Sequence, residues 1–164
     1  MEIRNPRPGS DLLSMLELHQ LDLHSKEADI SAFAEMMFGP AENLSRSGQQ
    51  ARMMKLAPML ASDGRTFAFL LKMEQQPIGM AYLNLCFSAD EGGFYALVER
   101  IYLSPDARGK GWGTLLGKGL LQWAAQQQCV AVKALTASGN AVSQNLVRKL
   151  GFSLRQNTWM EKKL

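Results

Sequence analysis

The residues best placed to do chemistry lie in one run, 98–113, which reads VERIYLSPDARGKGWG. An apolar, strand-like segment ends at Ser104-Pro105, three glycines follow at Gly109, Gly111 and Gly113, and a helical pattern opens behind them. A helix that starts on glycines exposes unpaired backbone N–H groups, and its dipole adds partial positive charge at the same point. Small residues let a ligand reach that backbone, while Arg108 and Lys110 add formal charge, so the chemistry on offer is the binding of phosphate. An ordinary glycine-rich connection is the alternative. Two familiar phosphate motifs are excluded. A P-loop needs Gly-Lys-Ser/Thr, but Gly109-Lys110 and Gly117-Lys118 are each followed by glycine, and Trp112 stands where the second would need its leading glycine. A dinucleotide fingerprint fails at Thr114, and Lys133 lies where its acidic residue belongs.

The elements that must position this run follow from hydrophobic period. Leu12, Leu13, Leu16, Leu18, Leu21 and Leu23, behind Ser10-Asp11 as N-cap, predict a helix, and further helices are expected over 28–38 and 47–60, stopped by Gly39-Pro40 and Ser62-Asp63-Gly64. After Gly64 the period becomes two. Residues 66–73 and 78–87 form a predicted hairpin around Glu74-Gln75-Gln76-Pro77, and 94–103 a third strand after the polar loop 88–93. A helix to about Gln128, a strand over 130–136, a helix over 141–150 and one or two closing strands over 152–164 complete a mixed α/β sheet.

With 164 residues, 46% hydrophobic and 20% charged, the chain is expected to form one domain, 1–164, with a real core. No apolar run approaches the roughly 20 residues of a membrane span and residues 1–10 lack a signal-peptide core, so a cytoplasmic protein with no membrane partner is expected. Cys86 and Cys129 supply no disulfide framework, and with His19 and His24 they give no metal spacing. Net charge of +3 is too small to argue for nucleic acid. Its distribution is uneven: residues 1–60 carry six basic and eight acidic side chains, leaving the excess of cations to the second part. An anionic ligand is expected there.

The run Arg108-Gly109-Lys110-Gly111-Trp112-Gly113 resembles the pyrophosphate loop of the GNAT N-acetyltransferase superfamily: Arg or Gln, two residues, Gly, any residue, then Gly or Ala. Ile101-Tyr102-Leu103-Ser104-Pro105 is similar to the strand and loop before that motif, and Asn140 through Lys149-Leu150-Gly151-Phe152 to the last helix and its Gly-Phe. The likeness covers about residues 66–164. Residues 87–93 and the ending 159–164 look like a bacterial branch that acetylates small amines.

The resemblance implies an α/β, GNAT-like acyl-CoA N-acyltransferase fold. Its mixed, mostly antiparallel sheet is flanked by helices, with a V-shaped splay between two central parallel strands, 94–103 and the one beginning near Val130. It implies an acetyl-CoA-dependent enzyme that transfers acetyl directly to a primary amine of a small molecule in a ternary complex. Acetyl-CoA is the cosubstrate, no metal is needed, and a homodimer is common among similar proteins. Ile101, Tyr102 and Leu103 would meet the pantetheine arm, with N–H groups of about Tyr102 and Leu103 polarising the thioester carbonyl. Main-chain N–H groups from Arg108 to Thr114 would hold the pyrophosphate, Asn140 the pantetheine, and Lys110, Arg148 or Lys149 the 3′-phosphate.

Three family positions depart. Glu99 is the only acid in its strand and the candidate general base, yet the commonly acidic position aligns with Arg100, and one residue of offset turns a side chain to the other face unless a bulge intervenes. An ion pair between Glu99 and Arg100 is the alternative. Val147 stands where the family commonly has a proton-donating Tyr, and Leu135 where some members have another acid. Tyr95 or Tyr102 could substitute, water could protonate the thiolate, or the protein could bind acyl-CoA as a sensor without transfer. The acceptor is expected between the N-terminal helices and loop 88–93, where an acidic bias with Asp90 and Glu91 favours a cationic small-molecule or peptide amine.

Overall fold

The computed structural model describes residues 16–39, 45–61, 64–155 and 162. Its elements run β1 (Leu16–Leu21), α1 (Glu27–Phe38), α2 (Arg46–Leu60), β2 (Thr66–Met73), β3 (Gln76–Ser88), β4 (Gly93–Leu103), a 3-10 turn (Pro105–Ala107), α3 (Trp112–Gln126), β5 (Ala131–Ala134) and α4 (Ala141–Lys149). The sheet order is β1-β2-β3-β4-β5, antiparallel except for the parallel pair β4/β5. It is the mixed α/β architecture the sequence implies.

Each face of the sheet buries its own core. On one, Leu16, Leu18, Phe69, Leu71, Leu83, Ala96 and Val98 pack against Leu116, Leu120 and Trp123 of α3. On the other, Leu21, Ala68, Leu70 and Met80 pack against Phe33 and Ala34 of α1 and Leu56 and Leu60 of α2. β2 therefore reads as a continuous apolar run rather than an alternation, as expected of a strand buried on both sides. Lys72 is 5% exposed within that strand and its ammonium is paired with the buried Asp29 of α1, which ties the helix to the sheet.

The helix expected across Leu12–Leu23 is corrected. Residues 16–21 form β1, and 12–15 lie outside the described residues. Six leucines in twelve positions satisfy both periods, so pairing decides. Leu16↔Met73 through Leu21↔Ala68 completes the edge of β2, sending Leu16 and Leu18 to one core and Leu21 to the other. Residues 152–155, expected to begin a closing strand, are irregular, and 156–161, 163 and 164 lie outside the described residues. The predicted β2–β3 hairpin is present, turning on Glu74 and Gln75, both at positive φ (50° and 67°).

Helix α3 crosses α4 at Gly117. A Cβ there would overlap Leu150 Cδ1 and approach Leu150 Cδ2 to 3.3 Å. Gly117→Ala is expected to lower unfolding free energy by about 1–3 kcal/mol, read as a shifted urea midpoint at unchanged m-value.

Candidate active site

β4 is irregular where the chemistry is expected. Its register on β3 runs Leu83↔Val98 and then Tyr82↔Arg100, leaving Glu99 as the extra residue of a β-bulge. Ala96 and Val98 face α3, and beyond the bulge Ile101 and Leu103 do so as well. Between them Glu99 and Arg100 both turn to the α1 face. Glu99 Oε1 accepts from Asn84 Nδ2 at 2.7 Å, and Arg100 donates to the carbonyl of Met37, near the end of α1, at 2.8 Å. The one-residue offset seen in the sequence is thus absorbed by backbone. Glu99 and Arg100 form no ion pair with each other or with any described residue.

The bulge also reverses which edge the backbone serves. Up to Val98, whose carbonyl lies 3.3 Å from Leu135 N, even-numbered residues of β4 face β5. After it, Ser104 N–H donates to Ile78 O at 3.0 Å, with Gly79 opposite Leu103 and Met80 opposite Tyr102. Hydrogen-bonded pairs alternate in an antiparallel ladder. Tyr102 N–H therefore faces Met80, and the N–H groups of Ile101 and Leu103 face the opposite edge. β5 ends at Ala134, opposite Val98, so no described strand meets that edge over 99–103. This is the V-shaped opening. Of the three residues expected to line it, Ile101 and Leu103 present backbone donors, whereas Tyr102 turns its N–H into the sheet.

The glycine loop sits at the mouth of the opening. Arg108 Nε donates to Leu103 O at 3.1 Å, and its guanidinium lies 5.5 Å from the Tyr102 ring centroid. Gly109 and Gly111 adopt positive φ (75° and 84°), and a Cβ at either would meet nothing within 4 Å. Gly111 is the N-cap of α3 and supplies no side-chain cap, so the first turn of that helix keeps its orphan donors. Not every N–H of the run is available. Arg108 N–H goes to Pro105 O at 3.2 Å and Thr114 N–H to Gly111 O at 3.0 Å, leaving Gly109, Lys110, Gly111, Trp112 and Gly113. A Cβ added at Gly113 would lie 3.4 Å from Leu103 Cδ1 and 3.5 Å from Leu146 Cδ2, and the half-buried Trp112 ring joins the core, so both side-chain positions are structural.

Below the loop the opening is apolar. Val98, Ile101, Val132 and Ala134 of the two strands, Gly117 and Leu120 of α3, and Val147, Leu150 and Phe152 around α4 line one cleft. Val147 is a wall of that cleft and donates no proton. Asn140 caps α4, its Oδ1 accepting from Ser143 N at 3.0 Å, and no described hydrogen bond joins it to the loop. Lys110, Arg148 and Lys149 are exposed.

Asn84 is the residue that sequence reasoning missed. It donates to Glu99, lies 3.4 Å from Tyr82 Oη, and accepts from Thr66 Oγ1 at 3.0 Å. Only the cross-strand register brings these three residues to Glu99, and no local pattern announces it. At the hairpin end, Lys133 pairs with Glu91 at 2.9 Å and lies 3.9 Å from the Tyr95 ring centroid. Glu91 holds that ammonium above the ordinary lysine value, while partial burial and a hydrogen bond with Cys86 raise the Tyr95 phenol. Among the described residues, no three His, Cys, Asp or Glu side chains gather as a metal site.

The mixed sheet opens between two parallel strands, β4 and β5, beside a helix that starts on glycine. The chain belongs to the acetyltransferase (GNAT) family, whose model matches residues 30–152. It is similar to L-methionine sulfoximine/L-methionine sulfone acetyltransferases of Pseudomonas aeruginosa and Pseudomonas paraeruginosa, 41% identical over 63 residues. The aligned segment is 38% of this chain and 37% of those relatives' length. Among solved structures it resembles an aminoglycoside N-acetyltransferase in complex with CoA (TM-score 0.70, 17% identity, 98% of this chain and 99% of that one). It also resembles an aminoglycoside 6′-N-acetyltransferase from Acinetobacter haemolyticus (TM-score 0.68, 22% identity, 90% and 99%). A ribosomal-protein-alanine N-acetyltransferase from Brucella melitensis is similar as well (TM-score 0.70, 16% identity, 90% and 99%). At these identities the three structures show the fold.

Proposed function

We propose that the protein is an acetyl-CoA-dependent N-acetyltransferase that transfers acetyl directly to a primary amine of a small molecule within a ternary complex. The observation that carries this reading is the bulge at Glu99. One extra residue frees the N–H groups of Ile101 and Leu103 beside the uncapped start of α3 and puts a carboxylate on the other face of the same strand. The residues fit the cosubstrate, since the open space at Gly109 and Gly111 and the adjoining free N–H groups suit a diphosphate, with Arg108 and Lys110 adding charge. Bound acetyl-CoA supplies the acetyl group as a thioester.

The chain's own groups do the rest. Of the N–H groups of Ile101 and Leu103, two residues apart on one edge, one is placed to stabilise negative charge on the carbonyl oxygen and the other to meet the pantetheine arm. Glu99 removes the amine proton as the N–C bond forms and the C–S bond breaks. A coenzyme A thiolate is a weak base, so its proton can come from water or from Tyr102, whose ring lies beside Arg108 on the splayed part of β4. No side chain need become acylated. Relatives named for L-methionine sulfoximine and for aminoglycosides support a small-molecule acceptor.

CoA thiol release with varied acetyl-CoA and amine tests the reading. Intersecting initial-rate lines are expected, together with no transfer to the enzyme in the absence of amine. Acetyl-CoA binding by calorimetry, with no thiol release for any amine, would replace this reading with the acyl-CoA sensor.

A further inference from the structure

The sheet face that carries Glu99 holds more charge than the reaction needs, and its pairing is selective. Nearest the hairpin, Glu91 and Lys133 neutralise each other at 2.9 Å. Under α1, Asp29 and Lys72 do the same. Asp90 lies exposed at the hairpin tip. Between these sites stand two exposed charges without a counter-ion among the described residues, Glu99 and Arg100. Glu99 receives one hydrogen bond, from the neutral Asn84. Arg100 gives one, to the neutral carbonyl of Met37, which anchors the guanidinium at the end of α1 and leaves its remaining donors open.

Neighbours in a regular strand point to opposite faces. Only the bulge lets consecutive residues offer an anion and a cation side by side on one face. That pairing suits a ligand that is itself a compact zwitterion. A polyamine or aminoglycoside would bring several ammonium groups to a face where Glu91 is already bound to Lys133 and the Arg100 guanidinium, with no counter-ion among the described residues, repels them. We infer that the acceptor is an α-amino acid, or a small molecule with the same amine–carboxylate pair, whose amine meets Glu99 and whose carboxylate is gripped by Arg100. This rests on the transferase reading above and narrows the acidic bias read from the sequence, since Glu91 is already paired with Lys133.

The test is CoA release from acetyl-CoA with a panel of L-α-amino acids, each beside its own carboxamide, and with spermidine and an aminoglycoside. A charge-assisted contact predicts a kcat/KM about 10- to 100-fold higher for the acid than for its carboxamide, carried mainly by KM. The carboxamide's amine is the less basic of the two, so its lower rate cannot come from protonation. In Arg100→Gln that ratio should collapse towards one, and Arg100→Lys should restore part of it. Acetyl-CoA binding by calorimetry checks that both variants are folded. Equal rates for acid and carboxamide in the parent protein, or turnover of spermidine or the aminoglycoside with none of any amino acid, would overturn the inference and leave the transferase reading standing. Failure of every acceptor to release CoA would overturn both.

Discussion

Glu99→Gln is expected to lower kcat by about 100- to 10,000-fold while leaving the dissociation constant of acetyl-CoA unchanged, the usual range for loss of a positioned general base. The substitution is nearly isosteric. Glu99 accepts from Asn84 Nδ2 through Oε1, and a glutamine oxygen can accept the same bond, so the bulge and its anchor survive. What disappears is the ability to take a proton. The loss should therefore fall on kcat rather than on cosubstrate affinity. Calorimetry with acetyl-CoA supplies the internal control, because the glycine loop and the N–H groups of Ile101 and Leu103 are untouched. An unchanged rate would show that water or the acceptor itself manages the proton, and would return Glu99 to a structural role at the bulge.

The parts of this site that sequence made legible are those written in local chemistry. Three glycines after a strand stop, with Arg108 and Lys110 among them, specify an open turn, and the structure shows Gly109 and Gly111 at positive φ with space at both. Hydrophobic period placed α1, α2 and β2–β4 for the same reason. Pairing between distant strands was less visible. Leu16–Leu21 fits a helix until the edge of β2 is there to receive it. Asn84 carries no signal until register sets it beside Glu99. The bulge could be named only as a condition, because its location depends on which residues of β3 face which of β4. The same non-local fact reassigns a donor: Tyr102 looked as suitable as its neighbours, but alternation from the Ser104–Ile78 bond turns its N–H into the ladder.

The second large effect is expected at the glycine loop, where Gly111→Val should raise the acetyl-CoA dissociation constant by about 100-fold or more. Losing two charge-assisted hydrogen bonds at about 1.5–3 kcal/mol each is enough for that change. Stability should fall far less. Gly111 has φ 84° and nothing within 4 Å of a Cβ, so the protein meets backbone strain, of the order of 1–3 kcal/mol, without a clash. Gly92 provides the matched control, since it has φ 72° and is equally open, but lies in the β3–β4 turn. Gly92→Val should incur similar strain and keep its affinity. Gly113 would mislead as a test, because a larger side chain there presses on Leu103 and Leu146 and confounds folding with binding. If the valines at 92 and 111 lower stability alike and leave binding alike, the loop is an ordinary turn, and the diphosphate must be held elsewhere. A loss of affinity confined to position 111 ties the start of α3 to the cosubstrate, and the direction of the freed N–H groups of Ile101 and Leu103 then acquires its catalytic meaning.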